Sequence, residues 1–371
     1  MPVPLDEFPI HQTPLSMRYV GTSDRNFYDR NYFNAHDRTG DIFFISGMGF
    51  YPHYGVRDAY ATVKRGDRQW VVRLSDAYDT DKDDRLNQHV GPYRVEILEP
   101  LQRVRIVCEA DDHGIGFDLT WDGSFPAVDE QRHYIRQGPT RSILNTSRFA
   151  QLGSWTGELR VDGDSIAVTP DTWLGSRDRS WGIRPTGDAE PPGRPPDDPT
   201  IGFWWLYVPL RFDDFAIVLI VQELADGFRT LNDATRIWPD GRIEQLGWPR
   251  VDFDYRSGTR HPEHARIHLT EPDGKPLTIE IDTLGSIALH VGCGYGGDPE
   301  WAHGQWMGRN WAEGKVFDLT DPAVAGRIPF GVSDHVARAR INGSEGWGLF
   351  EHASVGRHDP TGFADLMSVA P

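Results

Sequence analysis

Two stretches decide the fold, Glu158-Leu-Arg-Val-Asp-Gly-Asp-Ser-Ile-Ala-Val168 and Val336-Ala-Arg-Ala-Arg-Ile-Asn-Gly-Ser-Glu-Gly346. Each reads as two strands around an Asx-Gly pair, Asp162-Gly163 in one and Asn342-Gly343 in the other. Such pairs supply the positive φ angles of a two-residue hairpin turn. The turns lie 180 positions apart in a chain of 371 residues, and each is followed by an aromatic and charged cluster, at 173–181 and 347–352. The echo implies two related β domains. Because Asx-Gly hairpins occur in any β protein, the rest of the chain has to carry the same texture.

It does. Residues 42–50, 59–64, 69–74, 93–98, 103–108 and 116–121 are short segments rich in β-branched or aromatic side chains, bounded by turn signals. The second half repeats this at 203–210, 216–223, 228–238, 251–255, 265–269 and 277–281. No long segment has a 3.6-residue apolar period. The best helical candidate is 23–35, with Ser23 or Asp24 as the cap. Residues 187–199 hold five prolines, which cannot join a sheet interior. The expected organisation is an all-β chain with domains at 1–186 and 201–371, joined by a Pro-rich loop at 187–200.

Composition agrees and excludes several functions. The 38 Lys and Arg against 55 Asp and Glu give a net charge of −17, which argues against nucleic acid and anionic membrane surfaces as partners. Aromatics are abundant, with 13 Trp, 12 Tyr and 18 Phe, and suit both pleated strands and an apolar pocket. Cys108 and Cys293 are too far apart for a metal knuckle and do not form a secreted disulfide framework. The first residues lack a basic region followed by an apolar one, and no apolar run approaches the ~20 residues of a membrane span. A cytoplasmic protein without a transmembrane segment is expected; a homodimer is an open assembly.

Several motifs fail on inspection. Gly292-Cys-Gly-Tyr-Gly-Gly297 has dinucleotide-site spacing but no helix pattern after it. Asp79, Asp81, Asp83 and Asp84 lack the Gly and Glu of a calcium loop. His261, His264 and His268 sit in an alternating, strand-like segment that scatters imidazoles, so no metal is expected. The densest remaining cluster is Trp173-Leu-Gly-Ser-Arg-Asp-Arg-Ser-Trp-Gly-Ile-Arg184. As a strand it places Asp178 and Ser180 on one face, and Arg177, Arg179 and Trp181 on the other. Glu223 and Glu351 end apolar strands, where desolvation raises a carboxyl pKa and suits a general acid. The structural alternative is an Arg–carboxylate network tying two domains together.

The segment Leu174-Gly-Ser-Arg-Asp-Arg-Ser-Trp-Gly182 resembles the D-[HR]-x-W-[GS] element of the double-lipocalin family of AttH-like proteins and hydroxyneurosporene synthase, the carotenoid 1,2-hydratase. The strands at 203–210 and 216–223 and the ending Gly346-Trp-Gly-Leu-Phe-Glu-His352 are similar to that family too. The resemblance implies two calycin-like, antiparallel β-barrel domains in tandem with a site at their interface. It also implies protonation of an isolated alkene and capture of the cation by water, without metal or organic cofactor. Cyclising and pericyclic enzymes belong to the same family. By motif, Asp178 is the leading acid and Trp181 a pocket wall. His303-Gly-Gln-Trp306 and Tyr295-Gly-Gly-Asp298 are each one residue off the family's later elements.

Three functions follow as expectations. The first is an acid-catalysed hydratase or cyclase for an isoprenoid-type molecule, a terpenoid, carotenoid or steroid-like substrate. Asp178, Glu223 or Glu351 would deliver the proton, and Trp173, Arg177, Trp181, Trp204, Trp205 and His352 would bind the substrate. Aromatic faces attract a cationic centre by about 0.5–2 kcal/mol each. The second is a binding protein for a hydrophobic small molecule, using the same cavity without chemistry. The third is a carbohydrate-active β protein, since Trp platforms and paired acids also suit glycosides.

Overall fold

A computed structural model describes residues 3–137, 141–190, 194 and 200–371. Most of the expected proline-rich loop, at 191–193 and 195–199, lies outside the described residues. The chain is all-β. Its first half forms β1 (Phe27–His36), β2 (Ile42–Tyr51), β3 (Val56–Arg65), β4 (Arg68–Ala77), β5 (Gln88–Val90), β6 (Tyr93–Glu99) and β7 (Arg103–Ala110). It continues through β8 (Ile115–Gly123), β9 (Val128–Asp129), β10 (His133–Gln137), β11 (Arg141–Val161), β12 (Asp164–Val168) and β13 (Leu174–Ile183).

The second half forms β14 (Gly202–Arg211), β15 (Ala216–Leu224), β16 (Arg229–Ile237), β17 (Ile243–Gln245) and β18 (Arg250–Tyr255). After these come β19 (Pro262–Thr270), β20 (Pro276–Ala288), β21 (Trp311–Asp318), β22 (Ser333–Ile341) and β23 (Ser344–Gly356). Two curled antiparallel sheets result, the architecture of two tandem lipocalin-like domains. The first runs β21-β4-β3-β2-β1-β13-β11-β8-β7-β6-β5, and the second β17-β16-β15-β14-β23-β22-β20-β19-β18. The division at 187–200 stays a proposal, and β21 departs from it by pairing with β4 in the first sheet.

Both hairpins form as their sequences dictate. Asp162 and Gly163 take φ values of 53° and 84°, and Asn342 and Gly343 take 48° and 87°. These angles close Val161 against Asp164 and Ile341 against Ser344. The expected helix at 23–35 is instead strand β1. Asp24 Oδ1 accepts a hydrogen bond from the Asn26 amide at 2.9 Å, forming a local turn rather than a helix cap. From there the side chains alternate with period two: Phe33 and Ala35 enter the core inside the first sheet, while Tyr32 enters the core between the sheets. Burial on both faces made β1 look aperiodic.

Three apolar layers hold the molecule. One fills the curl of the first sheet, one the curl of the second, and one lies between the sheets. Along β14, Trp204, Leu206, Val208 and Leu210 point into the second curl, whereas Trp205 and Tyr207 point into the layer between sheets. Strands β14 and β15 therefore read as continuous apolar runs, because each has two buried faces. Burial at roughly 25 cal/mol per Å² makes this middle layer a strong clamp between the halves. Cys108 and Cys293 are buried free thiols. Among the described residues, no helix is long and apolar enough to cross a membrane.

Candidate active site

The middle layer is interrupted by a cavity of about 270 Å³. Its first wall carries Arg30 and Tyr32 of β1, Arg148 of β11, and Asp178 and Ser180 of β13. Its second wall carries Phe203 and Trp205 of β14, Gln222 of β15 and Glu351 of β23. Tyr295, from the glycine-rich loop, closes one side. The expected parity of β13 holds here, with Asp178 and Ser180 sharing the cavity face.

Glu351 belongs to a carboxyl pair. Strands β22 and β23 place it directly opposite Asp334, so that two buried carboxyls stand side by side. Two adjacent buried carboxyls resist ionising together, so the pair favours keeping one proton. The Tyr32 hydroxyl donates to Asp334 Oδ2 at 2.5 Å, and Trp205 Nε1 donates to Glu351 Oε1. Burial pushes the Asp334 carboxyl well above the carboxylate range, and the charge of Glu351 adds to this. Burial raises Glu351 as well; Arg148 opposes that shift and Asp178 reinforces it. Of the pair, Glu351 lines the cavity and Asp334 lies behind it.

Asp178 occupies the facing wall. Arg148 stands between it and Glu130, with Nε donating to Glu130 Oε2 at 2.6 Å and a terminal nitrogen 3.9 Å from Asp178 Oδ2. The guanidinium centre lies 4.1 Å from the Tyr207 ring centroid and 5.6 Å from that of Trp205. The Arg–carboxylate contacts thus stay within the first half, Arg148 reaching the second through Tyr207 and Trp205, and the contact is loose at Asp178, which remains on the cavity surface. Burial raises Asp178 against the pull of Arg148 and Arg30, and pushes Glu130 up to about 7 despite its arginine.

The structure brings together only three of the nine expected site residues: Asp178, Glu351 and Trp205. Glu223, Trp204 and His352 line the opposite face of the second sheet. There Glu223 accepts from Arg229 Nε at 2.8 Å and lies 3.0 Å from His358 Nε2, whose ring stacks on Trp204. His352 is fixed by the Trp205 carbonyl at 2.7 Å and the Tyr255 hydroxyl at 3.2 Å. Trp173 is buried in the first curl. Arg177 faces that side too, donating to Gln151 at 2.9 Å. Trp181, expected as a pocket wall, is 37% exposed and lies tilted beside Phe149, outside the cavity.

Sequence reasoning missed Asp334, Tyr32, Arg148, Glu130 and Arg30. For Asp334 the signal was present: counting outward from the Asn342-Gly343 turn sets position 334 opposite 351. The others depend on which strands neighbour one another across the sheet order. Tyr295 and His303, from the two elements with departing spacing, both reach this region. Tyr295 lines the cavity, and His303 braces Arg30 from behind. Among the described residues, no group of three or more His, Cys, Asp or Glu side chains is placed to hold a metal ion.

The chain belongs to a family of unknown function, DUF8625, whose model matches residues 3–364. No curated protein matches its sequence. Solved structures share its fold at low identity. A protein assigned as AttH from Nitrosomonas europaea is 13% identical with a TM-score of 0.54, over 88% of this chain and 92% of that one. Kievitone hydratase from Nectria haematococca is 11% identical with a TM-score of 0.51, over 87% and 88% of the respective chains. CghA is 13% identical with a TM-score of 0.50, over 89% and 88%. Such identities establish the lipocalin-like fold alone.

Proposed function

We propose that the protein is a cofactor-independent, acid-catalysed hydratase or cyclase, with Glu351 as the proton donor. The observation that carries this reading is the cross-strand Asp334–Glu351 pair at the edge of an aromatic-lined cavity, where burial raises both carboxyls. An acid that must protonate carbon needs its proton at neutral pH and little competing water. The Glu351 O–H bond breaks as the alkene π pair forms a C–H bond, leaving a carbocation and a carboxylate. Trp205 and Tyr32 line the cavity in which that cation would form, and aromatic faces attract cations. Water, or an internal nucleophile in a cyclisation, supplies the next bond, and the proton it releases returns to Glu351. Asp178 and Arg148, on the facing wall, position the water.

That one structural neighbour is named a hydratase supports this class of reaction. The cavity, at about 270 Å³, lies at the small end of ligand sites and favours a compact isoprenoid over a C40 carotenoid. The test is incubation with compact alkene-bearing terpenoids in ¹⁸O-labelled, deuterated water. Products with deuterium at carbon, and with ¹⁸O for hydration, are expected from wild type and not from Glu351→Gln. Stoichiometric retention of unchanged ligand would instead identify a binding protein.

A further inference from the structure

The cavity walls carry more positive charge than the proposed proton transfer uses. Arg30 is 4% exposed and lies 5.5 Å from the Tyr295 ring centroid. One terminal nitrogen donates to His303 Nδ1 at 2.5 Å. His303 Nε2 lies 2.7 Å from the Cys293 carbonyl and donates to it, which fixes the neutral tautomer. The partner of Arg30 is thus an uncharged ring, and its Nε is buried without a hydrogen bond. Asp58 acts on Arg30 only at longer range and is itself held by the Gly304 amide at 2.6 Å.

Arg184 joins the same wall at the end of β13, its guanidinium 5.0 Å from the Tyr28 ring centroid. Among the described residues, neither arginine has a carboxylate oxygen within 4.0 Å. The buried His133 Nε2, also on the cavity wall, lacks a partner. A buried guanidinium is costly without a counter-charge, and in a chain of net charge −17 carboxylates were plentiful. Asp58 and Asp178 act on both arginines only from beyond 4.0 Å, so two guanidiniums without a direct carboxylate partner on one cavity wall mark a place for an anion that the chain does not supply.

We propose that Arg30 and Arg184, with His133, bind a delocalised oxyanion on the substrate, a carboxylate or an ionised enol. Planar guanidinium donors match such an oxyanion geometrically. The substrate would then be an acidic, partly aromatic or isoprenoid molecule rather than a pure hydrocarbon. Its charged end would lie on Arg30 and Arg184, with its alkene toward Glu351. This deepens the reaction proposed above and rests on the same cavity, but binding can be read without turnover.

The test is quenching of tryptophan fluorescence in the full chain by 2-naphthoate, by the ionised enol 4-hydroxycoumarin, and by neutral 2-naphthamide. At least one anion is expected to bind about tenfold or more tightly than the amide. Arg184→Met and Arg30→Gln are each expected to weaken that anion about 10- to 100-fold. Circular dichroism checks folding of each variant, and the rim residue Arg184 carries the test where Arg30→Gln does not fold. Equal binding of amide and anions, unchanged affinity in Arg184→Met, or equal competition by sulfate would overturn the proposal. A Glu351→Gln enzyme that still turns over would overturn only the proton-donor assignment.

Discussion

Glu223, near the end of β15, and Glu351, in the middle of β23, lie on apolar strands of the same sheet and face opposite sides of it. Glu223 meets cationic donors: Arg229 and His358 bind both its oxygens, and these hydrogen bonds outweigh burial and hold the carboxyl below its usual range. Glu351 meets another acid, and burial together with Asp178 holds it above that range. Both acids sit on apolar strands; their partners differ. A carboxyl in an apolar strand becomes a proton source only where the neighbouring strand supplies no cation for it.

The sharpest way to break this contrast is to neutralise each acid in turn. Glu351→Gln is expected to lower turnover of an accepted alkene by about 10²- to 10⁴-fold, the range for loss of a general acid. Asp334→Asn should follow it, since the shared proton is lost. Glu223→Gln should leave the rate per folded molecule within about threefold. Isotope incorporation from deuterated water reads all three. A Glu223 variant as inactive as the Glu351 variant would mean that the two faces of the sheet are not chemically separate.

Stability should invert the order. Glu223→Gln removes a buried, doubly bonded charge and is expected to cost about 2–3 kcal/mol by urea unfolding at pH 7. Asp334→Asn removes an acid that resists ionising and should cost less. The pH dependence separates them further. A carboxyl held low in the fold contributes stability above its unfolded pKa, near 4, and loses it as pH falls through the folded value. The Glu223 contribution therefore disappears on the acid side. A carboxyl held high contributes below about pH 4 and loses that contribution as pH rises, so Asp334, and Glu130 with its pKa near 7, weaken the fold toward neutrality.

Buried imidazoles steepen the acid limb, because His36, His133 and His335 are pushed down to about 3 by burial. Their unfolded forms bind protons from about pH 6.5 downward, at up to about 1.4 kcal/mol per pH unit each. Tm against pH should form a dome, whose alkaline side flattens in Asp334→Asn and whose acid side flattens in Glu223→Gln. A profile identical in both variants would remove the electrostatic distinction between the acids.

The same division explains what the sequence could and could not tell. Strands were legible wherever apolar runs met turn residues, and both hairpins were legible from their Asx-Gly pairs. The strand β1 was not, because burial on both faces erased its alternation and left Asp24 looking like a cap. At the site, Asp178, Trp205 and Glu351 could be singled out from their own segments. Arg148 and Tyr32 could not, since they meet Asp178 and Asp334 only through strand order and sheet packing. Trp181 carried a motif yet stands outside the cavity, whereas Trp205, outside that motif, bonds the acid. Accordingly, Trp205→Phe should lose most of the ligand-induced fluorescence change, and Trp181→Phe should keep it.

The smallest expected effect tests whether the two halves are equivalent where they look most alike. Gly163 and Gly343 follow Asp162 and Asn342 in turns of nearly identical φ, and a Cβ at either would meet no atom within 4 Å. Sterics with neighbours therefore play no part, and Gly→Ala at each measures only the left-handed backbone penalty, about 1 kcal/mol. The turns differ in what their strands carry. The 342–343 turn sets the register that places Asp334 against Glu351, whereas the 162–163 turn pairs β11 with the exposed edge of β12. Gly343→Ala and Gly163→Ala should thus destabilise equally by urea unfolding. Only the former should lower turnover, because a strained second turn loosens the register on which the carboxyl pair depends. Equal activity in the two variants would show that the pair is held by Tyr32 and Trp205 rather than by the hairpin.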